Sequence, residues 1–264
     1  MRSNEATPAS TRKLPPSPRV LAYHELSTWP SEDIYQLTPE AFSTHVSVAK
    51  ELFLREGTSF EFTFDDAHIS QVELAAPILE QASLYGIFFA PAAWIGCRNG
   101  IASWRNLRAL LQSGHRIGSH GNTHALLTHC TTSELTEELL RSRLTLEDKL
   151  GCAVTSLSLP GGRCNSDVAA QASATGYKHI YTSQPSWGTP RPYQSAKEVK
   201  LIGRLAVRRK MKTDTIAQYL RKDPYTVIPL AAGFHLRKGV RHILGDQRYQ
   251  QVWRRMLRSP INHV

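Results

Sequence analysis

The chain has 264 residues, 41% of them hydrophobic and 20% charged, the make-up of a globular protein long enough for one large α/β domain. No window approaches the roughly 18 uninterrupted apolar residues of a bilayer span. Met1–Val20 is mixed Pro, Ser, Thr and charge without an apolar h-region, so no secretory signal is expected. The net charge of +10 is uneven: residues 191–264 hold 17 Lys/Arg against 4 Asp/Glu, which leaves residues 1–190 at −3.

That asymmetry separates the classes of partner. A basic surface suits an acidic polysaccharide, a lipid-diphosphate carrier or a membrane surface. Nucleic acid is not expected, because RNP-like aromatics, zinc-finger spacing and a helix-turn-helix signature are all missing. Cys97, Cys130, Cys152 and Cys164 form no C-x-x-C pair, consistent with reduced thiols and a cytoplasmic location, with peripheral contact at the membrane as a further expectation.

The predicted elements begin after a lead-in, residues 1–17, whose composition predicts disorder. From residue 18 to 264 one domain is expected. Arg19–Ala22 reads as a strand ending in Tyr23-His24. Thr38 and Pro39 read as the N-cap and first residue of a helix continued by Phe42, Val46 and Ala49. Phe60, Phe62 and Phe64 alternate with other residues in a strand that runs into Asp65-Asp66. A helix over 75–84, a strand over 86–90 and a helix over 106–111 follow, the last closed by Gly114.

Residues 115–120 predict a strand edge entering a polar loop. Thr131 and Glu134 have capping-box spacing, ahead of a long helix with Leu135, Leu139, Leu146 and Leu150 on one face. Next come a strand over 154–159 ending in Pro160-Gly161-Gly162, a helix over 168–175 and a strand over 179–182. Within the basic part, 189–264, the pattern blurs, leaving a strand over 201–207, a helix over 213–220 and a terminal helix over 248–257. Strand and helix alternate as in repeated βα units around a parallel sheet, with polar loops after the strand ends.

Two segments carry chemistry. Asp65-Asp66 places two acids beside a core, which is costly without a neutralising partner, and a metal ion is the partner expected. His120 and His124, four apart in Ser119-His120-Gly121-Asn122-Thr123-His124, would complete a three-ligand site with an open position. Adjacent acids divide the work: one ligates, and the other stays free as a general base.

Thr63-Phe64-Asp65-Asp66, Gly86-Ile87-Phe88-Phe89, the His120…His124 segment and Ser158-Leu159-Pro160-Gly161-Gly162 closely resemble, in order and over roughly residues 18–185, the NodB-homology polysaccharide deacetylases (carbohydrate esterase family 4). The resemblance implies a distorted (β/α) barrel of about seven parallel strands. It implies hydrolysis of linear amides in N-acetylated sugars of a polysaccharide or its precursor, as in exopolysaccharide pathways. It also implies Asp65 as base, with Asp66, His120 and His124 holding one divalent metal ion, usually Zn2+. The general acid is expected at His24, because Tyr23-His24 is similar to the early-strand pair of the poly-N-acetylglucosamine deacetylases. His235, in Phe234-His235-Leu236, is the alternative.

Tyr23, Pro160, Arg163 and Trp187 are expected to bind substrate or orient the site. Three departures stand out. Ala67 replaces a Gly. Ser158 replaces an Arg, whose role of orienting Asp65 is assigned to Arg163. The fourth motif's Asp-Trp pair is missing. Two further readings stay open on these departures: a non-catalytic carbohydrate-binding or scaffold protein, and a metal amidohydrolase acting on a non-sugar amide.

Overall fold

The computed structural model describes residues 18–29, 32–185 and 193–244. The lead-in 1–17, Trp187 and the helix expected over 248–257 lie outside them. Strands β1 (Arg19–Tyr23), β4 (Phe60–Phe64), β5 (Gly86–Ala90), β6 (Arg116–Ser119), β7 (Ser156–Ser158), β8 (His179–Thr182) and β9 (Lys200–Ala206) close into one barrel in that order. Every pairing is parallel, and β9 returns to β1 through Val20↔Arg204 and Leu21↔Leu205. The two-residue strands β2 (Glu25–Leu26) and β3 (Gln36–Leu37) pair beside the barrel.

Helices α1 (Pro39–Glu56), α2 (Ala76–Gln81), α3 (Trp104–Gln112), α4 (Thr132–Leu150), α5 (Ser166–Ala174), α6 (Thr213–Leu220) and α7 (Pro224–Leu244) flank the strands. Their ends follow local chemistry. Thr38 accepts the Ala41 N–H at the start of α1, and Gly57 ends it with φ +64. Thr131 and Glu134 form the anticipated capping box of α4. The helix expected over 75–84 is shorter and is preceded by a π-helical turn, Gln71–Ala75. Helix α7 was not legible in the sequence, because Pro229, Gly233 and Gly239 interrupt its pattern.

Strand alternation divides the barrel into two sides. Tyr23, Phe62, Phe64 and Phe88 point outward into the main core with Phe42 of α1, with ring centroids from 4.6 to 6.0 Å apart. Each such ring contributes roughly 1.5–3 kcal/mol on burial. Val20, Ile87, Phe89, Tyr181 and Ile202 form a second cluster inside the barrel. Glu61 and Tyr181 stand on strands that are not neighbours, so their 2.9 Å hydrogen bond crosses the lumen. Arg116 pairs with Glu61 on the same side. Cys97, Cys130, Cys152 and Cys164 form no disulfide. Among the described residues, no helix is long and apolar enough to cross a membrane.

Candidate active site at the C-terminal mouth of the barrel

Because all the barrel strands run the same way, the loops after them gather at one end. A cavity of about 1300 Å3 opens there, lined by His24 after β1, Asp65 and Asp66 after β4, and His120 and His124 after β6. The loops after β7, β8 and β9 and one side of α7 complete its wall.

Asp66, His120 and His124 present one ligand atom each, all within 4.8 Å of one another. Asp66 Oδ1 lies 3.3 Å from His120 Nε2 and 3.1 Å from His124 Nε2, yet this buried oxygen makes no hydrogen bond. Ligand atoms about 2.0–2.1 Å from a tetrahedral zinc-sized ion stand roughly 3.3 Å apart, so an N2O donor set at these spacings fits such an ion. Burial opposes the charge on Asp66, but the imidazoles of His120 and His124 outweigh it and hold the carboxyl well below its ordinary range. His120 points its Nδ1 at the Ser158 carbonyl, 2.8 Å away, which orients Nε2 toward the cluster.

The ligands sit on strained backbone. Asp66 (φ +72), Ala67 (φ +52) and His124 (φ +68) are three of the five non-glycine residues with positive φ among the described residues. Ala67 therefore occupies the left-handed conformation for which the family's Gly is suited, at a cost of about 1 kcal/mol. Its methyl is 2% exposed and packs in the main core. The loop between the histidines is tied down by Glu138 of α4. This buried carboxylate accepts the Asn122 N–H at 2.9 Å, the Thr123 N–H at 3.0 Å and the Thr123 hydroxyl at 2.6 Å.

Asp65 is 3% exposed and paired with a residue that the motifs did not indicate. Arg204, 0% exposed on β9, donates from Nη1 to Asp65 Oδ1 and from Nη2 to Asp65 Oδ2, both at 2.8 Å. Its remaining N–H groups reach the Thr63 hydroxyl (3.2 Å), the Ser158 hydroxyl (2.8 Å) and the Thr182 carbonyl (3.2 Å). All five donors of the guanidinium are thus matched. Burial would raise Asp65, but the Arg204 guanidinium and then His120 overcome it and bring the carboxyl to about 2.

The assignment of this pairing to Arg163 is corrected. Arg163 lines the cavity with Nη1 3.4 Å from His129 Nε2, while Asp65 is held by Arg204. Ser158, in the place of the family's Arg, is a hydrogen-bond partner of the guanidinium that arrives from β9. The signal for Arg204 was a lone charge within the apolar run Leu201–Val207.

His24 lines the cavity with its ring 4.8 Å from Tyr35, and its buried Nδ1 has no hydrogen-bond partner. His235 also lines the cavity, 3.3 Å from the Gln184 amide. Gln71, in the π-helical turn, donates to the carbonyls of His24 (2.5 Å) and of Asp65, joining the two strand ends. Nothing in the sequence singled it out.

Tyr23 is corrected from a site residue to a core residue. It is 0% exposed, and its hydroxyl contacts His45 Nδ1 at 3.2 Å behind the strand, because successive side chains alternate sides and His24 takes the cavity side. Pro160 is buried and is not among the residues that line this cavity; a Cβ on Gly121 would stand 3.8 Å from it. Gly162 is required where it stands, since a Cβ there would lie 2.2 Å from Ser183 Oγ. Trp94 packs against His124 with ring centroids 4.9 Å apart. Trp187 is outside the described residues.

Residues 55–180 match a family model described as polysaccharide deacetylase. No curated protein sequence matches the chain. Among solved structures, the chain is similar to the Streptococcus pyogenes deacetylase PplD in complex with acetate. There the identity is 17% and the TM-score 0.66, over 78% of this chain and 99% of that one. A de-N-acetylase from Aggregatibacter actinomycetemcomitans is similar at 16% identity and TM-score 0.63, covering 76% and 98%. IcaB from Ammonifex degensii is similar at 17% and 0.61, covering 79% and 97%. Likeness at these identities speaks for the barrel, and the family match speaks for the motifs it carries. Residues 55–180 thus match the polysaccharide deacetylase family, and the barrel is of the type seen in these solved deacetylase structures.

Proposed function

We propose that the chain is a metal-dependent hydrolase that removes acetyl groups from N-acetylated sugars of a polysaccharide or its precursor. The observation that carries this reading is the cluster of Asp66, His120 and His124 beside the buried, ionised Asp65 in one open cavity. A divalent ion held by the three ligands, most simply Zn2+, would supply a Lewis acid for the acetyl carbonyl and an acidified water.

The chain's own residues do the rest. Arg204 keeps Asp65 ionised and fixes both oxygens in one plane, while each oxygen retains a second lone pair. Asp65 takes a proton from the attacking water as its oxygen bonds to the acetyl carbon. The carbon–nitrogen bond then breaks, and His24 gives the nitrogen its proton, releasing acetate and a free amine. Gln71 holds the His24 and Asp65 backbones together, so acid and base approach the same substrate from adjacent strand ends. His24 is preferred to His235 because Gln71 ties its strand end directly to that of Asp65. Arg204, bonded to both Asp65 and Ser158, supplies the guanidinium that the third motif lacks, which supports the catalytic reading over a non-catalytic barrel.

The test is acetate release from N-acetylated oligosaccharides together with elemental analysis of the purified chain. Asp65→Asn is expected to keep one divalent ion per chain and lose activity, whereas His120→Ala loses both. A fully active Asp65→Asn enzyme would overturn the assignment of the base.

A further inference from the structure

Apart from Asp65, Asp66 and the histidines, every side chain that is charged at neutral pH among the described residues lining the cavity is an arginine: Arg163 after β7, Arg208 after β9 and Arg237 on α7. Asp65 is already neutralised by Arg204 from within the barrel, and Asp66 belongs to the ligand cluster. Three cations in one concave wall focus a positive field on whatever occupies it.

A second observation concerns Arg208 alone. Its Nε is buried and has no hydrogen-bond partner, and among the described residues no carboxylate lies within ion-pair distance of it. A buried charged donor without an acceptor loses the free energy of an unmade hydrogen bond. Its neighbours on β9 explain why it faces the site: Arg204 and Ala206 alternate with Leu205 and Val207 of the main core, and Ala206 lines the cavity with Arg208. Neutral sugar hydroxyls could accept from one such group, but three arginines from three separate elements exceed what a neutral glycan calls for.

We propose that this cavity recognises an anionic glycan, in which the N-acetylated sugar lies next to a carboxylate or phosphate group that Arg208 binds, with Arg163 and Arg237 adding to the field. This rests on the deacetylase reading for the position of the acetyl group and on the arginines alone for the charge. Carboxylate and phosphate share the recognising chemistry, planar or clustered oxygens that accept from a guanidinium fork. The carboxylate would come from a uronic acid within a polymer, and the phosphate from a sugar joined to a carrier.

Equilibrium binding to the full-length, zinc-loaded chain separates these possibilities. The probes are N-acetylglucosamine, N-acetylglucosamine 1-phosphate, a neutral chitin tetrasaccharide and a hyaluronan tetrasaccharide, each at low and at high salt. Each anionic probe is compared with the neutral one of its own size, and an advantage of roughly tenfold is expected for at least one pair, from one charged hydrogen-bonded contact. That advantage should shrink as salt rises. In Arg208→Gln the anionic-to-neutral ratio should fall toward one, and in Arg208→Lys part of it should return. Thermal unfolding checks that both variants fold. A preference confined to the phosphate pair assigns the carrier-linked source, and one confined to the hyaluronan pair assigns the polymer.

Equal affinity within both pairs overturns the proposal, as does a ratio unchanged in folded Arg208→Gln. Acetate release is scored on the same probes. An anionic preference without any deacetylation would overturn the activity and leave the charge recognition standing. Deacetylation without preference would do the reverse.

Discussion

Replacing Arg204 by Met keeps a side chain of similar length in the barrel and deletes all five donors at once. Asp65 would then keep its burial, 3% exposed, and lose its ion pair with Arg204. The drop of its carboxyl from an ordinary 3.8 to about 2 corresponds to roughly 2 kcal/mol. That figure is net of the burial penalty, which persists when the arginine is gone, so the full cost should be larger. Removing one partner of a buried pair costs about 3–5 kcal/mol, and this is the range expected.

Urea unfolding of metal-free protein at pH 7 measures the cost as a shift in midpoint at constant slope. The cycle with Asp65→Asn should show a coupling of at least about 2 kcal/mol. In the loaded enzyme, Arg204→Met should retain the ion, because Asp66, His120 and His124 do not touch the guanidinium, while acetate release falls about 100-fold as Asp65 loses its alignment. A loss of stability below about 1 kcal/mol with additive single effects would refute the reasoning.

Two other perturbations follow from the same geometry. Glu138→Ala releases the three hydrogen bonds that hold the loop between His120 and His124, and metal affinity in competition with a chelator should weaken about 10–100-fold; unchanged affinity in a folded variant would remove Glu138 from the site's support. His45, buried behind Tyr23, has its imidazole lowered from 6.5 to about 4 by burial. The unfolded chain binds this proton first, so the contribution of neutral His45 is complete above pH 6.5 and disappears as pH falls through 6.5 toward 4. At pH 4.5 the metal-free wild type should have lost roughly 2–3 kcal/mol relative to His45→Leu, and parallel pH profiles for the two proteins would contradict this.

Much of the barrel was legible because its signals are local. Thr38-Pro39, the Thr131–Glu134 box and the alternating phenylalanines before Asp65 report on neighbouring residues only, and each marks an element that forms. Asp65, Asp66, His120 and His124 were likewise visible as motif residues after strand ends. Helix α7 was not, since its proline and glycines oppose the helix and its stability comes from the contacts it makes. Tyr23 was misplaced because adjacency in sequence with His24 hides the fact that neighbours on a strand face opposite ways.

Arg204 marks where the sequence stops. Two adjacent acids after an apolar strand required a neutralising partner, and composition alone determined that requirement. The partner proved to be different for each. Asp66 turns on left-handed backbone toward two imidazoles, whereas Asp65 points into the barrel toward a guanidinium 139 residues away in the chain. Only closing seven strands brings β9 beside β1 and sends Arg204 across the lumen to Asp65 and Ser158. The need for compensation is a property of the residues. Which charge meets it depends on which strands a closed barrel makes into neighbours.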